Sequence, residues 1–209
     1  MGAMGMTANP QSLLTLAGVA QHPSPAGRAA LVVIDAQREY LTGGLRLDGI
    51  EAAVAELRGL LSLARRHGLP VFHVVHLSDR AGALFDRAGP YAAIIPGLEP
   101  WDGEAVVAKA LPNAFAGTDL HARIQAAGRG EIVLAGFMTH MCVSTTARAA
   151  LDHGYRTTIV AAAAATRDIP DPAGGVIPAA ALHRTELAAL ADRFAVVVAD
   201  SATLARAWA

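Results

Sequence analysis

The fold is decided by one stretch, Glu131-Ile132-Val133-Leu134-Ala135-Gly136-Phe137-Met138-Thr139-His140-Met141-Cys142. Its first half is a continuous apolar run, the pattern of a strand covered on both faces. A glycine breaks the run. Thr139 then supplies a good N-cap for a helical pattern over His140 to His153. Strand, tight turn and helix in immediate succession are the unit of a parallel α/β sheet.

Working outward, the same kind of run recurs at Ala29 to Ile34, Pro70 to Val75, Ala105 to Ala108, Thr157 to Ala161 and Phe194 to Val198. Helical patterns lie between them at Ile50 to His67, Thr118 to Ala127 and Pro178 to Asp192. Gly68, Gly128 and Gly154 each stand just past a helix, where a C-terminal cap is expected. The expectation is a single α/β domain, doubly wound, with a six-stranded mostly parallel sheet and helices on both faces. Residues 1–27 read as a lead-in, partly disordered or helical, and residues 28–209 as the domain. Within the lead-in, Met1 to Met6 reads as a non-native leader or a disordered start. Two stretches interrupt the rhythm, Leu77 to Glu104 and Thr166 to Ile177. Loops of this length in a compact domain usually carry function.

Composition narrows the field. The chain has 209 residues, 53% hydrophobic and 17% charged, with a formal net charge of −1. That is too apolar for disorder and too neutral for a nucleic-acid partner. No apolar run reaches the ~18 residues of a membrane span, so no membrane partner is expected. One cysteine forms no internal disulfide and suits a reducing compartment, the cytoplasm.

Ligands of open parallel sheets bind beyond the carboxyl ends of the strands. Asp35 follows the first strand, His76 and Asp79 the second, Lys109 the third, and Cys142 the fourth. Cys142 is expected in the first helical turn, where free N–H groups and a nearby ammonium lower a thiol pKa. Asp35 is then positioned to exchange a proton with that thiol. Backbone N–H groups of Met138 and Cys142 are candidates for an oxyanion hole. Each residue alone has a plainer reading. A lone cysteine is usually core, an aspartate after a strand is often a turn cap, and a lysine is usually solvated. Three such residues at strand ends are harder to dismiss.

At these positions the sequence resembles the isochorismatase-like cysteine hydrolase superfamily, which includes nicotinamidases and N-carbamoylsarcosine amidases. The matching segments are Leu31-Val32-Val33-Ile34-Asp35-Ala36-Gln37 with Tyr40, and Lys109-Ala110-Leu111-Pro112-Asn113-Ala114-Phe115 with Thr118 and Leu120. The third is Gly136 to Val143 with Thr146, Ala147 and Gly154-Tyr155. The resemblance implies a triad of Cys142, Asp35 and Lys109, a cis peptide at Phe137–Met138, and cleavage of an amide-type bond in a small molecule through a thioester. It also implies a homo-oligomer, with Ile94, Ile95 and Trp101 as candidate contacts. Tyr40, His76, Trp101 and Phe115 are the expected pocket lining.

Nicotinamidases hold a metal just after the second strand. Here Asp79 is followed by Arg80-Ala81-Gly82, without a histidine, and His73 is expected inside the sheet. No metal and no cofactor are therefore expected. Isochorismatases proper cleave a vinyl ether and generally lack the cysteine. Acid-catalysed vinyl-ether hydrolysis by Asp35 is one alternative, and a non-catalytic oligomeric binding protein is another.

Overall fold

The computed structural model describes residues 9–209, so the expectation for Met1 to Met6 lies outside the described residues. Six strands form one sheet in the order β3-β2-β1-β4-β5-β8, every neighbouring pair parallel. They are β1 (Ala29–Ile34), β2 (Val71–His76), β3 (Ala105–Lys109), β4 (Glu131–Phe137), β5 (Arg156–Ala165) and β8 (Val196–Val198). The helices are α1 (Leu13–Leu16), α2 (Ile50–Arg66), α3 (Leu120–Ala126), α4 (Ser144–Asp152), α5 (Ala179–Arg193) and α6 (Ser201–Trp208). A small antiparallel pair, β6 (Ile169–Pro170) and β7 (Val176–Ile177), occupies the second long loop.

Alternate residues of each strand feed two separate cores. Leu31 and Val33 of β1 and Val133 of β4 pack on Leu57, Leu60 and Leu61 of α2 and Leu204 of α6. Ala30, Val32 and Ile34, with Ile132 and Leu134, pack on Leu120 and Ile124 of α3, Ala147 of α4 and Leu190 of α5. Both faces of the central strands are thus dry, which is why they read as unbroken apolar runs.

The described residues ahead of β1 are bound to the domain. Ser12 caps α1, the Leu13 amide donates to Asp192 Oδ1 at 2.9 Å, and Leu14 is buried. Buried Ser24 donates its amide to Thr158 Oγ1 at 2.8 Å, and its carbonyl accepts from Trp208 Nε1. The C-terminal helix α6, absent from the sequence reading, supplies that tryptophan. Asp200 caps it by accepting from the Thr203 amide.

One glycine is required by close approach. Gly136 has φ +114°, and a Cβ there would stand 2.0 Å from the Ile34 carbonyl oxygen. Only glycine lets β4 meet β1 at this level. The order of the strands reverses direction between β1 and β4, so the crevice at their carboxyl ends is the place where a ligand is expected.

Candidate active site

Three elements deliver three reactive groups to that crevice. Asp35 is the first residue past β1 and adopts φ +49°, a conformation few residues other than Gly, Asn and Asp accept. Lys109 ends the edge strand β3. Cys142 lies in a π turn, Thr139–Val143, between β4 and α4. Lys109 Nζ is 2.8 Å from Asp35 Oδ2 and 3.3 Å from Cys142 Sγ. The side chains of Asp35 and Lys109 are fully buried, and Cys142 is 5% exposed.

The electrostatics differ from the sequence expectation. Burial, reinforced by the neighbouring Asp35 charge, pushes the Cys142 thiol up to about 12 against the opposing pull of Lys109. Desolvation thus favours the thiol over the thiolate. The expected thiolate at a helix start is corrected on two counts. Cys142 precedes α4 inside a wider turn, and desolvation outweighs the single cation. Thr139 is not the N-cap either. Met138 holds the extended position before the turn, and the Thr139 hydroxyl instead donates to the Ala165 carbonyl at 3.1 Å and contacts His183 Nδ1 at 2.8 Å.

Burial also raises the Asp35 pKa, with the Lys109 charge opposing. Lys109 Nζ stands 2.8 Å from Oδ2, and burial outweighs this contact and the weaker help from the neighbouring groups. A carboxylate left this poorly solvated is a stronger proton acceptor than one in water.

Around this centre, Phe137 and Met138 are buried and the peptide bond between them is cis. The Met138 carbonyl accepts from the Met141 and Val143 amides and closes the turn. Tyr40 is buried edge-on against Phe137 and Phe85, with centroids 5.8 and 5.2 Å away. Its hydroxyl pKa is raised by burial and by the nearby Asp35 and Cys142 charges. His76 Nδ1 is 3.2 Å from Lys109 Nζ.

Two expected lining residues lie elsewhere. Trp101 precedes β3, at the amino end of the sheet, where it is 63% exposed and covered by the Arg65 guanidinium at 4.1 Å. Phe115 turns into an aromatic group, stacked on Tyr155 at 5.9 Å and close to His153 at the amino end of β5. Aromatic character alone does not tell which end of a strand a residue serves. Of the suggested contacts between copies, Ile95 is fully buried in its own core. Asp79 is exposed and paired with Arg87. Among the described residues no group of three or more His, Cys, Asp or Glu side chains is placed to hold a metal ion.

Gln37 and Glu39 were given no role in the sequence reading beyond Gln37's place in the first motif. Gln37 is fully buried. It accepts from the His76 amide at 2.8 Å and donates to the His76 and Ala92 carbonyls at 2.9 and 2.7 Å. Glu39 accepts from the Gly44 and Phe85 amides. Together they pin the 77–104 loop over the crevice. The available signal was two polar residues three and five positions past the end of an apolar strand. Arg167 was also missed. Its Nε has no partner among the described residues, and its charge reaches Tyr40 and His140.

Comparison with known proteins places the chain among isochorismatase-domain proteins. Residues 29–202 match the family model for an isochorismatase domain. A crystal structure of an isochorismatase from Pseudomonas putida superposes with a TM-score of 0.88 at 46% identity, covering 93% of this chain and 99% of that one. A secreted isochorismatase effector of Verticillium dahliae is 37% identical over 90% of this chain and 97% of its own. Maleamate amidohydrolase of Pseudomonas putida is 35% identical over 64% of this chain and 70% of its own.

Proposed function

The chain belongs to the isochorismatase-like hydrolase family, and from that premise we propose that it is a cysteine hydrolase cleaving the C–N bond of a small amide. The observation that carries the reading is the Lys109 ammonium, in contact with both the Asp35 carboxylate and the Cys142 sulfur in a buried crevice.

The chemistry follows from the protonation states. At rest Cys142 is a thiol and Lys109 an ammonium. As Sγ attacks the amide carbon, its proton passes to Asp35, whose raised pKa narrows the mismatch between donor and acceptor. The carbonyl oxygen becomes an oxyanion, held by the Met138 and Cys142 amides, and Lys109 keeps the whole centre near neutrality. Asp35 then gives its proton to the departing nitrogen. The C–N bond breaks and ammonia or an amine leaves a thioester on Cys142. Water attacks the thioester carbon and yields its proton to Asp35. The C–S bond breaks, the proton returns to sulfur, and the acid departs.

Arg167, whose charge is felt by Tyr40, suits a substrate carrying a carboxylate. The name of the maleamate relative describes such an amide. No cofactor enters this sequence of steps. The assembly is read as a homo-oligomer, with exposed Leu84, Tyr91 and Trp101 as candidate contacts. No helix among the described residues is long and apolar enough to cross a membrane. A reducing cytoplasm suits the free thiol, while the Verticillium relative is by name secreted.

A panel of small amides, including amides of dicarboxylic acids, assayed for ammonia or amine release tests the reading. Release is expected for at least one member. Activity on a vinyl ether that survives Cys142→Ser and is lost in Asp35→Asn would favour acid catalysis instead, a reading to which the raised Asp35 pKa also lends itself.

A further inference from the structure

His76 closes β2 and stands beside Lys109 in the β2–β3 register. Its Nδ1 lies 3.2 Å from Lys109 Nζ. An ammonium has three N–H donors and no acceptor, so Nδ1 is necessarily the acceptor of this bond. The tautomer is thereby fixed: the ring is neutral and its proton sits on Nε2. Lys109 thus has three neighbours, Asp35, Cys142 and His76, one for each N–H.

The ring is held on every side but one. Gln37 clamps the His76 backbone at both its amide and its carbonyl. Phe85 packs edge-on, with centroids 5.1 Å apart at 63°. Burial, and then the Lys109 charge, push the imidazole down to about 4, so the neutral form persists through the physiological range. The charged or titratable groups of this centre are Lys109 from β3, Asp35 after β1, Cys142 in the π turn, and Tyr40. Nε2 has no protein acceptor among the described residues, and the residue is only half-buried.

We propose that His76 is a substrate-binding residue, its Nε2–H donating to a carbonyl or carboxylate oxygen that the substrate carries beside its scissile amide. Lys109 sets the tautomer that makes this donor available. The inference rests on the amide-hydrolase reading, and it predicts a preference for amides bearing a second acceptor over plain ones.

Two measurements test it. Nitrogen-15 spectra of the histidine rings, with His76 assigned by its loss in His76→Gln, report the tautomer without any substrate. The expected result is a neutral Nε2–H ring from about pH 5 to about pH 8. An Nδ1–H tautomer, or titration near the ordinary value of 6.5, would overturn the proposal.

The second measurement is steady-state kinetics of His76→Asn, whose side-chain amide replaces Nδ1 as acceptor for Lys109 but does not reach the Nε2 position. KM for an acceptor-bearing amide is expected to rise about tenfold with kcat within about threefold, the signature of a lost ground-state hydrogen bond. KM for a plain amide should rise by a clearly smaller factor, and equal rises for both would assign His76 a purely structural role and refute the proposal. An unchanged KM for the acceptor-bearing amide would refute the donor role. If the wild type hydrolyses no amide at all, the amide-hydrolase reading fails, and the ring spectrum still decides whether Lys109 fixes the His76 tautomer.

Discussion

The two ends of the sheet carry clusters built from similar parts and tuned in opposite directions. At the amino end, Glu104 is bound by the Arg65 guanidinium through two contacts of 2.8 and 2.9 Å, by the Trp101 amide, and by His73 Nε2 at 2.8 Å. At the carboxyl end, Asp35 has the Lys109 ammonium at 2.8 Å and no guanidinium. Burial works to raise both carboxyl pKa values. It is overcome for Glu104, which falls to about 2, and prevails for Asp35. One cluster saturates its carboxylate and is structural. The other leaves burial dominant and keeps its carboxylate ready to take a proton.

The largest break in this contrast comes from Lys109→Met. It removes the ammonium that contacts both Asp35 and Cys142. A loss of about a hundredfold or more in kcat/KM is expected, with about 3 kcal/mol of stability lost because Asp35 remains buried without its partner. Kinetics and urea unfolding measure the two parts. Arg65→Met at the other end should lower stability and leave kcat near the wild-type value.

The pH dependence sharpens the same contrast. Activity needs ionised Asp35, so kcat/KM should fall about tenfold per unit as pH drops below its folded-state pKa. That limb should lie above the ordinary 3.8 because the shift is upward. Stability behaves differently at Glu104. Its folded pKa is depressed, so its contribution is complete above the unfolded value of 4.5 and is lost as pH falls from there to about 2. Glu104→Gln should remove that acid-sensitive step in a pH series of unfolding curves. It should cost about 1–3 kcal/mol at neutral pH and leave kcat unchanged. The smallest effect is reserved for Trp101→Ala, where loss of an exposed cation–π contact should cost under about 1 kcal/mol with no change in KM.

Much of this layout was legible in the sequence. Strands covered on both faces leave unbroken apolar runs, so β1, β2, β4 and the parallel class could be read from composition along the chain. Polar residues directly after those runs led to Asp35, Lys109 and Cys142. The local state of the thiol was not legible. The pKa of Cys142 depends on how thoroughly α4, α5 and the 77–104 loop exclude water, and a helix-cap pattern carries no information on that. The π turn that moved Thr139 off the capping position depends on its hydroxyl reaching Ala165 and His183, both distant in sequence. Trp101 and Phe115 misled for a related reason. Trp101 precedes β3 and so stands at the amino end, whereas Phe115 follows β3 but packs back on Tyr155 and His153, distant in sequence. Gln37 and Glu39 act on the 77–104 loop, whose path has no periodic signature.

The account stands on Cys142 forming a covalent bond with its substrate. Mass spectrometry of acid-quenched reaction mixtures, using an amide the protein is found to hydrolyse, tests this directly. The account predicts an acyl adduct on the Cys142 peptide during turnover, and a loss of activity of at least about a thousandfold in Cys142→Ala. Undiminished hydrolysis by that variant, with no adduct on the wild type, would contradict it.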